Sequence, residues 1–177
     1  MRLDLPDPVM EYLASDSAIY RTQLRRDHPE LDQQLGSSET RQAMLRWLGS
    51  EDRTPDEPDL IATVLGHMRA DAQESEAETI RPLTLHAAPV VRLRAFEFLL
   101  TLYFPTANRP ALIALLQTML VDDADEVRAA AARYVERADA AGDLASYLRQ
   151  WLGAAEARGW VGTESHRQVG RLTGGEE

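Results

Sequence analysis

An all-α fold follows from three features of this 177-residue chain. No stretch alternates apolar and polar residues around β-branched side chains, the pattern that a half-buried strand requires. The stretch 89–104, PVVRLRAFEFLLTLYF, is apolar almost all round a helical wheel, so it predicts a helix buried between neighbours. One helical face, built on an arginine, is written three times along the chain.

Each element has its own signal. Asp7 and Pro8 open the first helix as a cap and a first-turn proline, and Val9, Tyr12 and Leu13 continue it. Beyond Ser15 and Asp16 a second helical phase runs through Ile19, Tyr20 and Leu24. His28, Pro29 and Gly36 bracket one short helix. Ser37 and Ser38 cap the next, which carries Met44, Leu45, Trp47 and Leu48 and ends at Gly49. Residues 50–58, SEDRTPDEP, read as an acidic loop, and helix resumes over 60–68. The following stretch is polar and acidic first and apolar after Pro82, a surface loop with one short helix.

Pro89 suits the first position of the central helix, and Pro105 stops it. On its wheel Arg94, Glu97 and Thr101 share one wet stripe, while Arg92 points elsewhere alone and calls for a partner. Asn108 and Pro110 open a helix over 111–120, and 122–126 is a tight acidic turn. An alanine-rich helix over 127–138 ends at Gly142, and Asp143 caps the last clear helix, 144–157. The length predicts one domain, placed at 1–158 with diverged N-terminal helices over 1–50. The glycine-bearing tail at 159–177 is expected to be weakly ordered.

The repeat is anchored at Arg41, Arg92 and Arg128, which lie 51 and 36 residues apart. Six positions after each stands an aromatic residue (Trp47, Phe98, Tyr134), seven after an aliphatic one (Leu48, Leu99, Val135), and three after Met44, Ala95 or Ala131. These positions share one helical face. The helices before them repeat too, since Leu60-Ile61-Ala62 matches Leu112-Ile113-Ala114. A period near 36 is the signature of a helical solenoid.

With the turn DDADEVRAAAARYV after Leu112 to Leu120, this pattern resembles the HEAT-repeat, armadillo-like family, whose units pair two antiparallel helices through an Asp-containing turn and a Val-Arg step. The likeness covers about residues 38–157 and is sharpest at 110–138; the second unit keeps Val91-Arg92 but has His-Ala-Ala-Pro in place of the aspartates. The resemblance implies a short right-handed α-solenoid. It also implies a concave side lined by second helices, exposing Arg94, Glu97, Arg133, Glu136 and Arg137. In the family, arginines such as Arg41, Arg92 and Arg128 tie turns together rather than hold ligands.

Composition narrows the chemistry. There is no cysteine, which excludes disulfides, thiol nucleophiles and thiolate metal sites. The net charge is −10, and all 19 basic residues are arginine, which points to a GC-rich, bacterial coding sequence. Such a balance disfavours nucleic acid and anionic membranes and favours a basic partner. No apolar run is long enough to span a membrane, and Asp4, Asp7 and Glu11 interrupt any secretory signal, so a cytoplasmic location is expected.

Two acidic groups stand out: Asp71, Glu74, Glu76 and Glu78 in one loop, and Asp122, Asp123, Asp125 and Glu126 in the corresponding turn. Acids near helix N-termini complement the macrodipole, so these eight read either as solvated caps or as a docking edge for a basic protein. They lack the glycine and distal glutamate of a calcium loop, and His28, His67, His86 and His166 have no ligand spacing, so no metal and no cofactor is expected. There is no phosphate-binding glycine loop and no nucleophile elbow, so no enzyme is expected.

The leading reading is a non-catalytic protein-interaction module, a scaffold, chaperone or antagonist of a basic partner, using the concave face or the acidic edge. The alternative is nucleic-acid processing of the DNA-glycosylase type, which some HEAT-like proteins perform with aromatic residues and an acid on a basic face. Trp47, Trp151 and Trp160 are available to it, but the charge opposes phosphate. A homo-oligomer formed through the central units is a third reading.

Overall fold

The computed structural model describes residues 1–53, 56–104 and 108–174; part of the acidic loop and Pro105 lie outside them. Among the described residues the structure is helical, with no β-strand. The contacts group the chain into two compact units, Met1–Leu99 and Leu100–Glu177.

The first unit holds α1 (Asp7–Ala14), α2 (Ala18–Asp27), α3 (Leu31–Leu35), α4 (Ser38–Leu48), α5 (Pro58–Met68), α6 (Ala77–Ile80) and most of α7 (Pro89–Tyr103). Ser17 and Ser37 accept the N–H of Tyr20 and Thr40 and so cap α2 and α4. Asp7 makes no such cap at α1, where Pro6 holds the cap position. Three short 3-10 turns, at Arg69–Asp71, Glu74–Glu76 and Arg81–Leu85, surround α6. Helix α5 is hydrophobic on most sides and buries Leu60, Ile61, Val64, Leu65 and Met68; α1 and α4 pack on it. Trp47 and Phe98 are wholly enclosed, and truncating such a ring to alanine costs about 3–5 kcal/mol.

Helix α7 starts at Pro89, as predicted, and within the first unit Val91, Arg92, Ala95, Phe96, Phe98 and Leu99 are buried while Arg94 and Glu97 are partly open. The boundary between the units falls inside this helix.

The second unit adds α8 (Arg109–Leu120), α9 (Asp125–Arg137), α10 (Ala141–Ala154) and α11 (Glu164–Leu172). Asn108 caps α8 through the N–H of Ala111. Ala129, Ala130, Ala131 and Ala132 of α9 are all buried, which four consecutive helical positions achieve only with neighbours on more than one side. Those neighbours are α8 and α11, and alanine's small side chain lets both come close.

Helix α9 ends at Arg137, within one residue of the expected 138; Arg109 donates to the carbonyls of Ala138 and Asp139 (2.7 Å each) and Asp139 turns left-handed, φ +48°, so the stop comes before Gly142. Gly142 and Asp143 then lie inside α10, where Asp143 pairs with Arg109 at 2.7 Å. The stretch assigned to a weakly ordered tail contains α11, capped by Thr163 and anchored by buried Ser165 and Val169.

Candidate functional site

The repeated arginines act on turns. Each is the fourth residue of its helix: Arg41 in α4, Arg92 in α7, Arg128 in α9. Arg92 donates one guanidinium nitrogen to the carbonyls of His86 (2.9 Å) and Ala87 (3.0 Å), and Arg128 does the same to Asp122 and Asp123 (2.8 Å each). In both cases the acceptors stand six and five residues earlier, so a buried cation closes the turn that leads into its own helix. Arg41 reaches forward instead, to the Met68 carbonyl (3.1 Å) and to both oxygens of Glu76 (2.6 Å each).

That contact organises the first acidic segment. Glu76 is 3% exposed and also accepts the N–H of Gln73 at 2.9 Å, so it belongs to the interior and offers nothing to a partner. Asp71, Glu74 and Glu78 are exposed and carry no hydrogen bond or ion pair among the described residues. The loop is fixed by one acid and presents three.

On α7, Arg94 donates to Glu97 (2.6 Å), and Arg69, a residue not singled out in the sequence, donates to the same oxygen (3.0 Å). The pair sits beside a groove of about 560 Å³ lined by Tyr12, Arg21, Gly66, His67, Arg69 and Arg94. A second hollow of the first unit, about 600 Å³, is lined by Asp4, Glu30 and Glu39 against the single cation Arg46. These three acids are scattered in sequence and share no helical phase, so only the fold brings them together.

In the second unit the acids divide differently. Asp122 accepts the N–H of Ala124 (2.9 Å), while Asp123 and Glu126 are exposed. Asp125 reaches across to the start of α11, accepting the Ser165 hydroxyl (2.6 Å) and the N–H groups of Glu164 (3.1 Å) and Ser165 (3.3 Å), with Arg128 at 3.2 Å. Burial alone would raise its pKa; the bonds from Ser165, Thr163 and Glu164 outweigh burial and leave it lowered. Glu164, about half open, is lowered by its bonds from Arg167 and Gln168.

Arg133, Glu136 and Arg137 are exposed on α9; Arg137 lies over Phe104, 5.8 Å from the ring centroid, and Arg133 and Glu136 flank a small hollow of about 130 Å³ with Arg171.

Among the described residues no three of His, Asp and Glu are grouped to hold a metal. His67 bonds the Leu35 carbonyl and His86 accepts the Ala88 N–H. Trp47 is enclosed and presents no ring to a base. No described helix is long and apolar enough to cross a membrane. Among the described residues, fold and site define a helical structure whose buried arginines shape turns and which exposes Asp71, Glu74 and Glu78. No family model, curated protein or solved structure matches it.

Proposed function

We propose that this protein is a non-catalytic interaction module, built as a short HEAT-like stack of helix pairs, that binds a basic partner protein in the cytoplasm of a bacterium. The observation that carries the reading is the 69–78 segment of the first unit. Its conformation is set from inside by Glu76 and Arg41, and among the described residues its outer acids Asp71, Glu74 and Glu78 pair with no cation. A carboxylate held on a rigid loop and left unpaired gains more from an incoming arginine or lysine than one already neutralised. The acid-lined hollow at Asp4, Glu30 and Glu39 adds to the same bias within that unit. By contrast Arg94 and Glu97 neutralise each other, which makes the α7 stripe a weaker docking feature.

The test is retention of proteins from native extract on the tagged chain, washed at low and at high salt. One dominant basic partner, lost at high salt and lost at low salt when Asp71, Glu74 and Glu78 become Asn, Gln and Gln, is the expected result. Retention indifferent to both salt and these substitutions rejects the reading.

A further inference from the structure

The second unit holds a hollow of about 240 Å³ whose walls are aromatic. Trp151 and Trp160 stack there, ring centroids 5.0 Å apart and planes 26° from parallel. The turn that makes this stack depends on Gly159. At φ +68° it adopts the left-handed conformation that ends a helical turn, and it folds Trp160 back so that its N–H reaches the Ala155 carbonyl at 2.8 Å.

The walls are set before any ligand arrives. The Trp151 indole N–H donates to the Leu120 carbonyl (2.6 Å) and the Tyr147 hydroxyl to the Gln117 carbonyl (3.1 Å), so two side chains of α10 are pinned to the end of α8. With their polar tips satisfied, these rings offer the hollow only apolar surface. Val121 completes one lip and is 45% exposed, among the most open large apolar residues of the chain.

One charge faces this apolar space. Arg158 is the only charged residue in the lining; its guanidinium lies 4.8 Å over the Trp160 ring, and no described carboxylate pairs with it. In a chain with ten more acids than bases, an arginine left without an acid at an aromatic pocket is an unused anion contact. The charge is felt inside: burial pushes the Tyr147 phenol up, and Arg158 pulls it back in part. The volume suits one aromatic ring with a short arm, and is smaller than the pockets of drug-sized ligands.

We propose that this hollow binds an aryl carboxylate, its ring against Val121 and the two indoles and its carboxylate on Arg158. The chemistry is shared by a free aromatic acid and by the C-terminal aromatic residue of a peptide. The site is separate from the acidic segment proposed above, and neither depends on the other.

Titration of the full chain with 3-phenylpropionate, with its uncharged amide and with N-acetylphenylalanine, followed by tryptophan emission, tests it. A charged hydrogen bond to Arg158 makes the acid bind about tenfold more tightly than the amide. Arg158→Gln removes that difference while the amide is unaffected, and far-UV circular dichroism of the variant reports whether the helices persist. Tighter binding of 3-phenylpropionate points to a free acid, and tighter binding of N-acetylphenylalanine to a peptide terminus. Equal affinity of acid and amide for the unaltered protein, or no saturable emission change with any of the three, overturns the proposal whatever the variant does.

Discussion

The segments 71–78 and 122–126 are alike in composition, four acids each, and opposite in use. In the first, the acid that matters to the fold is drawn inward: Glu76 meets an arginine from α4, thirty-five residues earlier in the chain, and stays buried. In the second, Asp125 stays half open and stabilises the N-terminus of a helix forty residues later. One carboxylate draws its own loop inward onto an earlier helix; the other caps a helix that comes later. Acidity in a turn therefore does not define a role, and the partner each acid finds does.

Breaking the two contacts should give effects of different size and reach. Glu76→Ala leaves the Arg41 cation mostly buried without its acid, and Arg41→Ala does the converse, so each should cost about 3–5 kcal/mol in denaturant unfolding. Asp125→Ala removes bonds at a partly open site and should cost about 1–3 kcal/mol. Its signature is local: amide exchange accelerates across Glu164–Leu172 while α5 stays protected.

Acid sharpens the contrast further. The Asp125 pKa is lowered on folding from its ordinary 3.8, so its contribution is complete above pH 3.8 and is lost as the pH falls through the folded value. Exchange protection of α11 should fall in that window, and Asp125→Asn should flatten the dependence. The Glu164 pKa is shifted in the same direction, and Glu164→Gln separates its share from that of Asp125. The smallest effect on stability belongs to the outer acids: neutralising Asp71, Glu74 and Glu78 together should shift unfolding by no more than about 0.5 kcal/mol per residue, since none has a partner to lose.

Much of the helical order was legible from chain-local chemistry. Pro89 and Asn108 fix the starts of α7 and α8, and the all-round apolarity of 89–104 reports burial because no other environment tolerates it. The shared face of Arg92 and Arg128 was legible too, and in the structure it corresponds to one bonding pattern at the i−6 and i−5 carbonyls. Arg41 breaks that pattern because Glu76 competes for it, a contact that spacing alone does not encode. Helix α11 was hidden for a similar reason. Its apolar content is little more than Val169 and Leu172, and its order is supplied by Asp125 and the alanine face of α9. The aromatic hollow was hidden because each tryptophan, taken singly, sits at an apolar phase or in a glycine-rich stretch, and Gly159 alone folds one onto the other.

The hydrogen bond from Arg128 to Ser165 joins residues thirty-seven positions apart. On a ribosome adding about 5–20 residues per second, the arginine is made roughly 2–7 s before its serine exists. For that interval the guanidinium has the Asp122 and Asp123 carbonyls of its own turn as partners and no α11 to meet.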